Sequence, residues 1–335
     1  MLRLRDFDGS DGDHAMFTRA IEAAMAPWAS AYWVQRVIDV PSDNYTIDAP
    51  LVCEGTDAAT APPALICRGR AKIQYSGEVT DDYLLRLGSG AYPDVGYAGL
   101  VLCEGLYLEL ASKCRGIHVT YATYGSKMSR TTVSHPRQVG LRLDACWGSE
   151  FANLHVRGAK GCAIWATDFN TSRLYGVKVS TQDEEWAEDV PGAAVAIAGN
   201  GADVSSLCLE GIRTGDKPVV LIDGDSNRYD GLRFEGVYST GDLVELMPYS
   251  RNNTIERILV APKHAEQRVA VSIGKRGYLN SVSHVFGTGL SEAVVRVPGG
   301  YRWDDTVTQC RVQRLDQRAY VPKIVDENGD TPESS

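Results

Sequence analysis

Apolar and polar residues alternate in short runs along this chain, and from Cys114 to Leu315 the runs recur at a near-constant interval. The triplets Ile117-His118-Val119, Leu141-Arg142-Leu143, Ile164-Trp165-Ala166, Val219-Val220-Leu221, Leu243-Val244-Glu245, Val269-Ala270-Val271 and Val294-Val295-Arg296 step by roughly 23 to 26 residues wherever consecutive copies are compared. One copy, near Val195-Ala196-Ile197, comes late. A second series steps in parallel: Met128 to Val133, Phe151 to Val156, Leu174 to Val179, Val204 to Leu209, Tyr229 to Phe234 and Ile255 to Val260.

Period-two alternation bounded by Gly, Asn, Asp and Ser is the pattern of short strands separated by tight turns. No amphipathic helix fits between the copies. Leucine-rich repeats of similar period need a helical or 3₁₀ half anchored by Asn, and propeller blades need about 40 residues with hairpin signals. The remaining architecture is a parallel β-helix, in which each coil of strands stacks on the one before at about 4.8 Å.

Ahead of the repeats, Asp6 to Asp13 reads as a polar turn ending in a candidate N-cap, Asp13. Ala15, Phe17, Ala20, Ile21 and Ala24 then mark one helical face, stopped by Pro27. The first coil of a β-helix exposes apolar side chains and unpaired strand edges, and a short α-helix can cover them. Less regular rungs are expected at Leu65-Ile66-Cys67, Ile73-Gln74-Tyr75, Leu84 to Leu87, Leu100 to Leu102 and Leu106 to Leu108. The expected organisation is an N-terminal cap over 1–50, a parallel β-helix over 51–315 and an extended tail over 316–335. The aromatics of the insertion Trp28 to Trp33 are expected to pack over the cap.

Asp6-Phe7, Gly9, Asp11-Gly12-Asp13, Ala20-Ile21 and Ala23-Ala24 resemble the opening motif of the pectate-lyase-like β-helix superfamily. Val37 to Pro41, followed by Tyr45-Thr46-Ile47, resembles the next element, a strand ending in Pro and a turn into the first rung. The chain departs from that pattern at Ala15-Met16 and at Ser42-Asp43-Asn44. The resemblance implies an all-β, right-handed parallel β-helix with a short N-terminal capping α-helix. It also implies the company of polysaccharide lyases, glycoside hydrolases and phage tailspikes and fibres.

Composition narrows the ligand. A formal net charge of -9 and a pI near 5.2 argue against nucleic acid, whose phosphates need clustered Lys and Arg. The eight cysteines show no CxxC spacing and sit among apolar strand residues, so buried free thiols are expected. The first residues lack the apolar core of a signal peptide, and no stretch is apolar for long enough to insert in a membrane. The six histidines form no paired ligand spacing, so neither a metal nor another cofactor is expected.

Candidate chemistry falls in four places. An outward column of Thr132, His155, Lys178, Cys208 and Arg233 reads as a solvated face or as a basic strip for an anionic glycan. Ser126, Ser149, Ser172, Asn227 and Asn253 share a turn column, broken by Ala202, and are expected to bond rung to rung. The loop from Thr181 to Pro191 carries Asp183, Glu184 and Glu185 beside Trp186, with Trp147 and Trp165 in the two preceding rungs. Sugars stack on aromatic faces while carboxylates accept their hydroxyls, so these six residues are the glycan-binding candidates, against the plainer reading of a solvated acidic loop. Asp168 and Asp223 follow their strands at equal offset, about 10 Å apart along the backbone stack, with Asp225 and Asp144 close by. These make catalytic candidates for a two-carboxylate hydrolysis, although Asp is also a common turn residue.

The hydrolase relatives' Asn-Thr-Asp, Asp-Asp, Gly-His-Gly and Arg-Ile-Lys motifs are missing, and so is a calcium-binding Asp cluster of the lyase kind. Gly224-Asp225-Ser226 lacks the strand-turn-helix setting of an esterase nucleophile. The resemblance and the missing signal peptide lead to the expectation of a virion spike or fibre subunit. It would be made in the host cytoplasm, be homotrimeric, bind other virion proteins and recognise a bacterial surface polysaccharide. The alternatives are a depolymerase on the same scaffold, hydrolase or lyase, and a purely structural assembly protein.

Overall fold

The structure is a computed structural model describing residues 1–25, 36–55, 63–89, 100–261, 267–277, 279–287, 290–297, 311–315 and 324–326. Among these, every strand pairs in parallel, forming one sheet of eleven strands and one of sixteen. Together they wind a right-handed β-solenoid of about 9 turns, with 6% helix.

The eleven-stranded sheet, here the first sheet, carries the triplet series. Ile117, Leu141 and Ile164 pair rung to rung, and the late copy at Val195 falls into the same register. Beyond it the expected alignment slips. Val195 pairs with Val220, Val220 with Val244, Val244 with Val271 and Val271 with Val295. The triplets expected to begin at Val219, Leu243, Val269 and Val294 are therefore displaced toward the C-terminus. All four residues are themselves buried. Just before these strands two successive side chains turn inward, so an unbroken apolar run no longer fixes which residue begins the alternation.

The sixteen-stranded sheet holds the second series in the expected register. Met128, Phe151, Leu174, Val204, Tyr229 and Ile255 pair in turn. In every copy positions i, i+3 and i+5 are buried, as at Phe151, Leu154 and Val156, and at Ser129, Ala152 and Asp230 position i+1 is buried as well. The irregular first step has a backbone cause: Arg130, Asn153, Gly176, Ser206, Gly231 and Arg257 all take a left-handed conformation, with φ between 51° and 71°. This stacked bend divides the strand at Arg130, Asn153 and Gly231 and lies within a continuous strand at Gly176, Ser206 and Arg257, and it returns the residues on both sides to the interior.

The turn from first to second sheet is closed by the expected polar column. Ser126 and Ser172 accept the backbone N–H of Val101 and Ser149 at 2.9 and 3.1 Å, and Asn227 accepts that of Ala202 at 2.8 Å. Asn253 and Asn280 continue the ladder. All are buried, which is tolerable because each amide or hydroxyl replaces a strand-to-strand bond that the turn would lose.

At the N-terminus, helix α1 (Asp13–Met25) buries Met16, Phe17, Ala20, Ile21 and Ala24. Ala15 is only half-buried, and Met16 takes the inward place expected for it. Asp13 is the first helical residue, and its carboxylate accepts the N–H of Thr46 at 2.6 Å. Phe17 meets the edge of Tyr45 at 5.2 Å. In the second sheet pairing starts with Leu2–Arg3 against Val37–Asp39 and continues through Ala64–Tyr75 to Leu102–Glu109, while in the first sheet Leu51–Gly55 pairs with Tyr83–Ser89. Ile324–Val325 pairs with the strand Leu290–Arg296. The aromatic insertion at 28–33 and most of the tail expected over 316–335 lie outside the described residues.

Candidate functional site

Strand alternation on the first sheet sends one residue of each rung outward, and His118, Arg142, Trp165, Ala196 and Leu221 follow one another in that column. Its N-terminal part is aromatic and charged. Arg142 lies over the Trp165 ring, 4.2 Å from its centroid, and the Tyr83 and His118 rings are 4.8 Å apart. Asp144 ties this patch together: Oδ2 lies 2.8 Å from His118 Nε2 and 2.6 Å from Arg142 Nε, while Oδ1 accepts the Thr167 hydroxyl at 2.6 Å. Burial pushes the Asp144 carboxyl up, but the hydrogen bonds from His118 and Thr167 and the Arg142 charge outweigh it and leave it below the usual range.

Across the middle of this face lies the loop at 183–193, which leaves the second sheet after Gln182 and rejoins the first at Val195. Trp186, Ala187 and Val190 pack on Val139, Cys162, Ala196, Trp165 and Leu221. Two ion pairs fasten it. Arg115, 6% exposed, donates to Asp189 Oδ2 at 2.7 Å and to Gln138 Oε1, and Lys160 donates to Glu185 at 2.9 Å. Beside the loop an open groove of about 240 Å³ is lined by Ser112, Arg137, Gln138, Lys160, Glu185 and Trp186. Its cations are neutralised, Lys160 by Glu185 and Arg137 by Asp81. The lining suits an uncharged ligand with many hydroxyls, held by hydrogen bonds against one aromatic ring.

The sequence-based candidates divide between the two ends of the first-sheet strands. Trp186 and Glu185 line the groove at the start, with Asp183 and Glu184 exposed nearby. Trp165 stands mid-strand. Trp147 lies past the other end, bridged to Asn170, in the turn that also holds Asp168 and Asp225. About five residues of extended chain, some 16 Å, separate the two ends, so the Asp168, Asp223 and Asp225 group does not share a site with the loop. Nor do Asp168 and Asp223 share a column. Asp223 pairs with Ala198, in line with Thr167 and Asp144, whereas Asp168 takes a left-handed φ of 51° one residue later. The equal offset expected for them came from the slipped register. Asp225 is committed to Arg251 at 2.6 Å, and Asp168 accepts from the Asn170 amide.

Sequence reading did not single out Arg115, Arg142 or the His118 to Asp144 pair. Arg142 and Trp165 stand next to each other only once the rungs are stacked, and Arg115 meets Asp189 across 74 positions. The outward column on the second sheet is not a basic strip: Lys178 pairs with Glu210 at 2.5 Å and Arg233 with Glu235. In the column beside it Lys127, Glu150, Arg173, Asp203 and Arg228 alternate in sign. Among the described residues no His, Cys, Asp and Glu cluster could hold a metal ion, and no helix is long and apolar enough to cross a membrane. Six described cysteines are buried and Cys208 is half-buried, all as free thiols.

Solved structures share this architecture. The endo-xylogalacturonan hydrolase of Aspergillus tubingensis aligns with a TM-score of 0.59 at 12% identity, over 98% of this chain and 97% of that one. The enzymatically active domain of bacteriophage CBA120 tailspike protein 4 aligns at 0.56 and 10% identity, over 96% of this chain and 46% of that one. ORF18 of Geobacillus virus E2 aligns at 0.55 and 12% identity, over 84% of this chain and 60% of that one. The chain thus spans less than two thirds of either viral protein. What is common to all four is the fold, a right-handed parallel β-helix. No protein-family model matches the sequence, and no curated protein matches it.

Proposed function

We propose that this chain is a polysaccharide-recognising β-helix of the virion spike or fibre kind, which docks a bacterial surface polysaccharide on the outer face of its first sheet. The observation behind the reading is the groove beside the 183–193 loop, where Trp186 stands among Ser112, Gln138 and Glu185 and the neighbouring cations are already paired. A sugar ring can stack on the indole while its hydroxyls bond the polar groups. The likeness in fold to two viral proteins and to a hydrolase acting on xylogalacturonan supports a glycan ligand on a virus-borne scaffold. Homotrimeric assembly and attachment to other virion proteins belong to the same proposal.

Calorimetric titration with capsular polysaccharide and lipopolysaccharide preparations tests it. Binding that falls about tenfold or more in Trp186→Ala, with the fold intact by circular dichroism, is the expected result. Reducing ends and unsaturated uronates measured in the same samples decide whether the chain is instead a depolymerase. If they form, Asp168→Asn and Asp223→Asn test the carboxylates proposed for that chemistry. Silence on every glycan, with tight binding to another virion component, would replace the reading with an assembly role.

A further inference from the structure

We propose that Asp242, Glu245 and Ser272 form a second ligand site on the outer face of the first sheet, built for a neutral, hydroxyl-rich sugar unit. The proposal rests on the polysaccharide reading above and extends it along the solenoid axis. Glu245 continues the outward column three rungs beyond Trp165, through Ala196 and Leu221, which is about 14 Å at the strand spacing. That separation places the site past the far edge of the 183–193 loop, with the groove on the near side.

Ser272 is the rung neighbour of Glu245, and Arg296 is the rung neighbour of Ser272. Arg296 reaches back over both rungs to Asp242 Oδ2, at 3.3 Å, so its side chain spans the strip from Ser272 to Asp242, which lies three residues before Glu245 on the same rung. Two polar atoms there have no hydrogen-bond partner: Asp242 Oδ1, in a residue 7% exposed, and Ser272 Oγ, in a residue 6% exposed. Buried polar groups are nearly always satisfied, and an orphan in a native fold calls for a missing partner. Here the missing partner must donate to a carboxylate oxygen and exchange a bond with a hydroxyl, as a sugar hydroxyl does.

The surroundings narrow its charge. Two carboxylates repel an anionic sugar. Arg296 at Asp242, with Arg268 and Arg296 both held by Glu292, crowds out a metal ion. Glu245 adds a consistent sign: burial first, and the Asp242 charge second, push its carboxyl above the usual range, with Arg296 and Arg268 opposing. An uncharged ligand leaves that balance undisturbed.

The test is calorimetric titration with neutral hexasaccharides of glucose, galactose, mannose, xylose and rhamnose, set against a galacturonate hexasaccharide. The wild type should bind at least one neutral chain better than the galacturonate. Ser272→Ala and Asp242→Asn should each weaken that binding about tenfold, the worth of one well-made hydrogen bond. Ser272→Ala removes a hydroxyl that bonds nothing in the free protein, so its melting temperature should stay level or rise. Full affinity in Ser272→Ala would overturn the proposal, and a simultaneous loss in Trp186→Ala would leave the groove reading standing. Preference for galacturonate would overturn the assignment to a neutral sugar. Absence of binding to every hexasaccharide would overturn the second site, and only the further absence of binding to capsular and lipopolysaccharide preparations would remove the wider reading.

Discussion

The side-chain carbonyl of Asn253 accepts the backbone N–H of Asn227 at 3.0 Å, one rung away, while the Asn253 amide donates to the Gly224 carbonyl, also at 3.0 Å. Asn280 repeats the arrangement on Asn253. A turn that has left the strand conformation thus keeps a vertical row of hydrogen bonds, with asparagine side chains in place of the backbone.

Asn253→Ala should therefore be costly. The residue is buried, and its loss orphans the Asn227 N–H and the Gly224 carbonyl together, at about 1 to 3 kcal/mol for each unsatisfied group. We expect a loss of about 3 kcal/mol, read from urea unfolding. Asn253→Asp should recover part of it, because a carboxylate still accepts from Asn227. Equal losses in the two variants would show that the ladder contributes nothing specific.

The 183–193 loop should detach when Trp186 is removed. Its ring is half-buried against Val139, Cys162 and Ala196, so Trp186→Ala should cost about 2 kcal/mol, below the range for fully buried rings. The larger effect should be local, with faster proteolytic cleavage between 181 and 191 and new binding of a hydrophobic dye to the uncovered face. Unchanged proteolysis would mean that the Arg115 to Asp189 and Lys160 to Glu185 pairs hold the loop without the indole.

Asp144 offers a pH test. Its folded carboxyl lies below the ordinary value of 3.8, so its stabilisation is present above that value and is lost as pH falls through the lower, folded one. Asp144→Asn should be less stable than the wild type at pH 7, by about 1 to 3 kcal/mol for hydrogen bonds lost from a charged group. The difference should shrink as pH drops below about 4. A difference that stays constant to pH 2 would remove His118 and Arg142 as the source.

Much of the solenoid was legible in the residues, but unevenly. The second series could be aligned because a bend recurs at Arg130, Asn153 and Gly176, leaving the apolar spacing the same in every copy. The first series could be aligned only up to Val195. At Val219-Val220 and Leu243-Val244 both residues are buried, so hydrophobicity alone does not reveal the face, and the equal offset expected for Asp168 and Asp223 does not hold. The groove was half legible. Trp186 and Glu185 announce themselves inside an acidic loop, whereas Ser112, Gln138 and Lys160 come from three other rungs and carry no local signal.

Two glycines separate conformational strain from steric exclusion. Gly231 and Gly224 both have positive φ, at 71° and 110°. A methyl group on Gly231 would meet nothing closer than the Ser206 nitrogen at 3.6 Å, an ordinary contact, and neighbouring rungs hold Ser206 and Arg257 in the same bend. Gly231→Ala should cost only the left-handed penalty, about 1 to 2 kcal/mol. On Gly224 the same methyl would stand 2.1 Å from the Gly199 carbonyl oxygen, which is backbone and cannot rotate away. Gly224→Ala must push adjacent rungs apart and should cost more than about 4 kcal/mol, at the exceptional end of single substitutions. Thermal unfolding of the pair measures the gap, and equal melting temperatures would show that the rungs at Gly199 and Gly224 are not in the close contact described.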